Sequence, residues 1–393
     1  MSAGFEITGT GIVNAAGTTT KAYWETLTSG QPTAREVHLF GPDTAAQTVM
    51  PVADDQVEHG WSPRQLKRLD RMTMLSSAAI REALADARLE TQPGESDRVG
   101  VFVGNATGGW GYVEPQLYPL YRDQDLAAIN PYVATAWFPT ASQGELSIVQ
   151  GIGGTSKTFC AENLSAAFAL RQACWAIADG TLDVAVVCGV EAPLTPLVYN
   201  ACIRTGTVSF DGAYSPYSFE GDGAPLGEGA AAIVLEATEH SRERRVRPRA
   251  RIGTPVLGSG RQSVIHRALD EAGTPRVDYV ALEARGQTEP DTLELFAVES
   301  ALAGDLPAMG AATGTSGALL GASFATSLVT AVLAVYQGAI PGGTRVHAAL
   351  GERVRVTHGS PAEQARIRSA LVVGTDPHDQ AGALVVEAVE DLT

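Results

Sequence analysis

Apolar residues along this chain follow two periods that take turns from one end to the other. Strand-like runs occur at 7–13, 98–105, 183–191, 230–236, 251–257, 277–284, 370–374 and 383–389, with the continuous apolar character of strands covered on both faces. Helical spacing fills the stretches 22–29, 64–88, 131–148, 262–272, 291–303 and 324–336. The clearest is 64–88, where Leu66, Leu69, Met72, Leu75, Ala79, Ala83 and Leu84 share one side. Within 110–121, a segment rich in Trp, Tyr, Leu and Pro, Trp110, Val113 and Leu117 lie three and then four residues apart on one helical face. The Gly/Ala/Ser/Thr-rich span 309–323 is expected to be a loop. Strands alternating with helices predict an α/β protein whose sheet is mostly parallel and covered on both sides. Each half of the chain holds a similar set, which suggests an internal duplication.

One stretch changes period abruptly. From Gly153 to Ala166, alternation at Thr155, Lys157 and Phe159 gives way to Ala, Leu and Ile at helical spacing that runs on to Gly180. This reads as a short strand, a tight elbow and a helix. Such a turn sets a side chain at a helix N-terminus, where backbone N–H groups and the dipole favour an anion or a thiolate.

Composition narrows the field. The 393 residues are long enough for two structural units, and we expect them at 1–245 and 246–393, with the charged run 239–249 as an exposed crossing. Lys+Arg 28 against Asp+Glu 44 leaves a formal charge of −16, which argues against non-specific nucleic-acid binding and against attraction to an anionic membrane. No apolar run approaches a membrane-spanning length of about 20 residues, and no basic region followed by an apolar run opens the chain. A cytoplasmic location is the expectation. Cys160, Cys174, Cys188 and Cys202 form no Cys-x-x-Cys pair, so free buried thiols are expected and no metal site.

Quoted motifs spread from end to end resemble the β-ketoacyl synthases of the thiolase-like fold, and within them the chain-length factors of type II polyketide synthases. They include Thr8-Gly9-Thr10-Gly11, Asp70-Arg71, Thr107-Gly108-Gly109-Trp110, and Gly144-Glu145-Leu146-Ser147-Ile148. They continue with Ile177-Ala178-Asp179-Gly180, Gly189-Val190-Glu191, Gly227-Glu228-Gly229-Ala230 and Glu283-Ala284-x-Gly286. The resemblance implies two pseudo-duplicated βαβαβαββ halves forming a layered α-β-α-β-α core.

It also implies a chemistry that this chain lacks. Active members use a Cys nucleophile on the elbow and two His, one supported by a Lys, to stabilise an oxyanion. Counting from both sides of the elbow puts Asn163 at the Cys position; the family's Glu-Ala-His-Gly and Gly-His-x-x-Gly-Ala motifs put Arg285 at the first His and Ala318 at the second, with Thr313 at the Lys five residues before it. None of the seven histidines takes these places. Asn163 is expected to serve as a helix cap or plug, and Arg285 to pair with Glu162, or failing that with Glu294 or Asp291, inside the vestigial pocket. The implied function is a non-catalytic chain-length factor that heterodimerises with an active ketosynthase. Trp110, Val113, Leu117 and Thr135 would then wall the tunnel that sets product length. No cofactor of its own is implied, because the phosphopantetheine arm belongs to the acyl carrier protein. The rival readings are a malonyl-carrier-protein decarboxylase acting through Asn163 and a homodimeric scaffold.

Overall fold

A computed structural model describes residues 4–53, 57–94, 96–347 and 354–389. Its strands form two sets of five, placed in the same order. In the first half the order is Lys157–Phe159, Val99–Gly104, Val184–Glu191, Gly229–Ala237 and Phe5–Asn14; in the second it is Ala308–Ala311, Tyr279–Leu282, Ser369–Thr375, Gln380–Glu387 and Val256–Ser259. Both sets open with two parallel pairings and close with two antiparallel ones, so the sheet is mixed and not mostly parallel as expected. The duplication suggested by element content is therefore written in the topology. The short strand Ala250–Ile252 pairs with Phe5–Ile7 on one side and Val386–Glu387 on the other, joining the two sets edge to edge.

Helices complete the layers. Ser165–Ala178 and Ser323–Gln337 pack together in the main apolar cluster between the sheets. Phe324 to Val335 are buried without interruption, which is why this helix has no polar face. By composition the stretch 320–337 is apolar enough to cross a membrane, but 83% of it lies inside the core. Polar groups there are paired: Tyr23 Oη and Thr330 Oγ1 lie 2.7 Å apart, and burial pushes the Tyr23 phenol up to about 12. Arg71–Asp86 covers the outer face of the first sheet, and Arg261–Ala272 with Thr288–Ala301 that of the second.

Local chemistry moved several expected boundaries. The 64–88 helix breaks at 67–70, and its main part starts at Arg71 because Asp70 Oδ1 accepts the Met72 N–H at 2.7 Å as an N-cap. The expected 131–148 helix splits into Val133–Ala136 and Ala141–Gln150 around Pro139. Trp110–Arg122 is helical despite Pro115 and Pro119, with Asp70 Oδ2 accepting the Tyr112 N–H at its start. The 309–323 span is a strand end, one helical turn at Thr313–Ser316 and a 3-10 turn at Leu320–Ala322. The 239–249 run is stapled as well as exposed: Arg244 meets Glu236 at 3.0 Å, and Arg249 pairs with Asp86.

Candidate functional site: a filled-in pocket at the elbow

Lys157–Phe159 runs parallel to Val99–Gly104 and delivers the chain to the elbow. The turn is tight enough to hold Glu162 at φ 48°, in the left-handed region that side chains disfavour. A Cβ on Gly104 would stand 2.4 Å from the Ala166 nitrogen, so strand and helix approach at a distance only glycine allows. The helix begins at Ser165, with Leu164 in the cap position and no side-chain cap. Ser165 Oγ accepts the Ala161 N–H at 2.9 Å. Asn163 is therefore not the cap expected from the sequence. Its side chain turns away from the helix end, toward a carboxylate.

Asn163, Arg285, Thr313 and Ala318, far apart in sequence, line one cavity of about 340 Å³ together with Glu162, Glu283, Gln287, Leu320 and His378. Glu283 is its hub. One carboxylate oxygen accepts Asn163 Nδ2 at 2.5 Å; the other accepts Thr375 N at 2.7 Å and Thr375 Oγ1 at 2.9 Å. The Arg285 Nε stands 3.3 Å from the same oxygen, and its guanidinium also donates to the Thr375 carbonyl. Thr313 Oγ1 donates to the Glu283 carbonyl at 2.6 Å. The expected Arg285–Glu162 pair is not formed. Glu162 is exposed at the elbow, while Glu283, two residues from Arg285, reaches the guanidinium first.

The fallback partners are engaged elsewhere. Glu294 accepts the N–H groups of Glu283 and Ala284 and the Tyr217 hydroxyl. Asp291 meets Arg285 only through the backbone, accepting the N–H groups of Arg285, Gly286 and Tyr217. These bonds hold the turn in which Ala284 has φ 46° and Gly286 φ 78°. Burial raises both carboxyls, Asp291 to about 7, with each acid's neighbouring carboxylate adding to the rise.

Two further expectations need correction. Cys160 is exposed, not buried. Partial burial, with Glu191 nearby, still pushes its thiol up, the wrong direction for a nucleophile. His378 lines the cavity from the loop that follows Thr375, so the pocket does contain an imidazole, though none at either of the two family positions. Glu283 and Thr375 were not singled out from the sequence. Glu283 was visible only as the first residue of a quoted motif, and nothing local marks Thr375. Among the described residues no His/Cys/Asp/Glu group could hold a metal ion.

At the elbow position the side chain is the amide of Asn163. An amide cannot carry an acyl thioester, and the nitrogen of Asn163 is drawn onto Glu283. Both halves of the chain match a known family. The N-terminal domain model of β-ketoacyl synthases matches residues 5–241 and the C-terminal domain model residues 248–347. The chain belongs to the β-ketoacyl synthase family. Within it, this β-ketoacyl synthase homologue is similar to a granaticin polyketide putative β-ketoacyl synthase 1 from Streptomyces violaceoruber, 28% identical and covering 98% of each chain. It is 30% identical to the tetracenomycin polyketide synthase ketoacyl synthase β subunit from Streptomyces glaucescens, covering 97% of each. The ishigamide ketosynthase/chain length factor superposes with a TM-score of 0.84 at 20% identity, covering 99% of this chain and all of that one.

The expected tunnel residues of this synthase homologue sit on two packed segments, the helix Trp110–Arg122 and the turn Val133–Ala136. Trp110 is half-buried against the cluster of Val198, Tyr199, Cys202, Leu226 and Leu320, so it reaches the neighbourhood of the cavity. Val113 is buried and Leu117 half-buried on the same helix. Thr135 is exposed on the separate Val133–Ala136 turn, its hydroxyl donating to the Tyr132 carbonyl at 3.1 Å. The two segments touch through Gly109, whose N–H donates to the Trp137 carbonyl at 3.0 Å.

Proposed function

We propose that this chain is a catalytically silent chain-length factor. It forms a heterodimer with an active ketosynthase, and the pair elongates a polyketide on an acyl carrier protein in the cytoplasm. The carrying observation is the Glu283 network: Asn163 and Arg285, at the positions the resemblance gives to the nucleophile and its first His, are both drawn onto Glu283, which Thr375 also bonds. Pairing is supported by the sheet end. Lys157–Phe159 is the terminal strand, with an open edge, and edge strands need cover. The nearby helices expose Tyr118, Tyr121, Tyr132, Trp137, Phe138 and Ile148, more apolar surface than a lone chain usually leaves in water. In this reading the partner completes the tunnel, and Trp110, Val113, Leu117 and Thr135 contribute walls to it from this side.

The decarboxylase reading needs hydrogen-bond donors aimed at a thioester carbonyl. Asn163 has its nitrogen on Glu283, and Arg285 is committed to Glu283 and Thr375, so the geometry disfavours that reading. The deciding experiment co-expresses the chain with a Cys-containing ketosynthase and assays each subunit and the pair with malonyl-carrier-protein. Turnover by the pair but not by this chain is expected. Carbon dioxide release by this chain alone would overturn the proposal.

A further inference from the structure

A second apolar surface lies on other elements, around the mouth of the filled-in pocket. Cavity residues Thr205 and Thr207 lead into a loop that returns at Ala224, where Val208 and Ala224 bridge. This loop carries two almost fully exposed rings, Phe210 at 83% and Phe219 at 92%. Its ends are drawn together, because the Phe210 N–H donates to Asp222 Oδ2 at 3.2 Å. The loop also lies along the helix Thr288–Ala301: Thr288 Oγ1 donates to the Ser218 carbonyl at 2.9 Å, and Tyr217 binds Asp291 and Glu294. That helix shows Phe296, 65% exposed, and Leu293 on its outer side. Both Phe219 and Phe210 are thus held out by an ordered, hydrogen-bonded loop. Summed, the three rings expose on the order of 500 Å² of side-chain surface.

The charges between these rings are of one sign. Asp211, Glu220, Asp222 and Glu289 are exposed around them. Asp211 is kept anionic by the Ala213 N–H and the Ser209 hydroxyl, which hold its carboxyl below the usual range. Arg204 is the exposed cation beside the cavity mouth. An apolar centre inside an acidic rim has the anatomy of a protein interface, and its charge selects the partner. We propose that this face docks a partner protein whose surface presents cationic side chains around an apolar anchor. A partner with an acidic face would be repelled here. The docking face is carried by other elements than the Tyr118–Ile148 surface assigned above to the ketosynthase.

A fluorescein-labelled cationic amphipathic helical peptide of Lys, Leu and Trp serves as the probe. Its binding is read by anisotropy on the protein as it purifies, with and without a co-expressed ketosynthase. Phe219→Ser with Phe296→Ser should weaken binding at least tenfold, as should Glu220→Lys with Glu289→Lys, while Trp175→Ser, at an exposed ring elsewhere, leaves it unchanged. Affinity should also fall as salt rises. Equal binding by wild type and both double variants would overturn the proposal. So would displacement of the peptide by an acidic carrier protein, or loss of ketosynthase co-purification in the Phe219→Ser, Phe296→Ser variant.

Discussion

Glu283→Gln is the sharpest probe of the filled-in pocket. The carboxylate has a side-chain exposure of 6% and faces an Arg285 side chain exposed by only 11%. The amide keeps the volume and one acceptor oxygen but removes the carboxylate charge that faces the guanidinium, and it turns an N–H₂ group toward donors already present on Asn163 and Thr375. Breaking a buried pair by removing one partner costs about 3–5 kcal/mol, and we take about 3 because the remaining oxygen still accepts one donor. With an unfolding entropy of about 2.1 cal/mol/K per residue, a chain of 393 residues unfolding as one unit should lose about 4 °C in Tm. Adding Arg285→Met removes the orphaned cation, so the double variant should recover most of that loss, with a coupling of about 2 kcal/mol in the double-mutant cycle. Differential scanning calorimetry of the four proteins measures it. A Glu283→Gln shift below 1 °C, or a double variant that loses the sum of the two single losses, would refute the hub role of Glu283.

Three other outcomes follow from the same geometry. Asn163→Cys should stay inert in acyl transfer, with no acyl adduct by mass spectrometry, because no imidazole stands at the two donor positions; an acylated protein would contradict this. Asp291 has its folded pKa raised from 3.8 to about 7 by burial, so its contribution to stability is full below about pH 4 and is lost as pH rises toward 7; Asp291→Asn should flatten the dependence of Tm on pH between 4 and 7. In the reconstituted pair, Trp110→Ala should lengthen the polyketide, read by mass spectrometry of the products; an unchanged product distribution would count against a gating role.

The sequence made the layered fold legible because buried strands and core helices announce themselves by period. The five-strand order shared by the two halves was hidden, since order depends on pairing between segments far apart in the chain. The site divides along the same line. Position-by-position counting found Asn163, Arg285, Thr313 and Ala318, because a lost Cys, His or Lys is visible as a substitution at a fixed offset. What replaced the lost chemistry was not visible. Glu162 looked like the partner of Arg285 because both flank the vestigial pocket in the family layout, but Glu162 sits exposed in a left-handed turn. The hub is instead Glu283, buried next to Arg285 by the Asp291 and Glu294 backbone clamps. A buried Arg next to a buried Glu, with every carboxylate oxygen engaged, is too costly to break for a ligand that brings no compensating charge. Asn163, Arg285, Thr375 and Glu283 are therefore committed to one another beside a cavity of about 340 Å³. Under the proposed function the parts of this chain that act are surfaces rather than the elbow: one apolar face beside an open strand edge, and one acidic aromatic face around the cavity mouth.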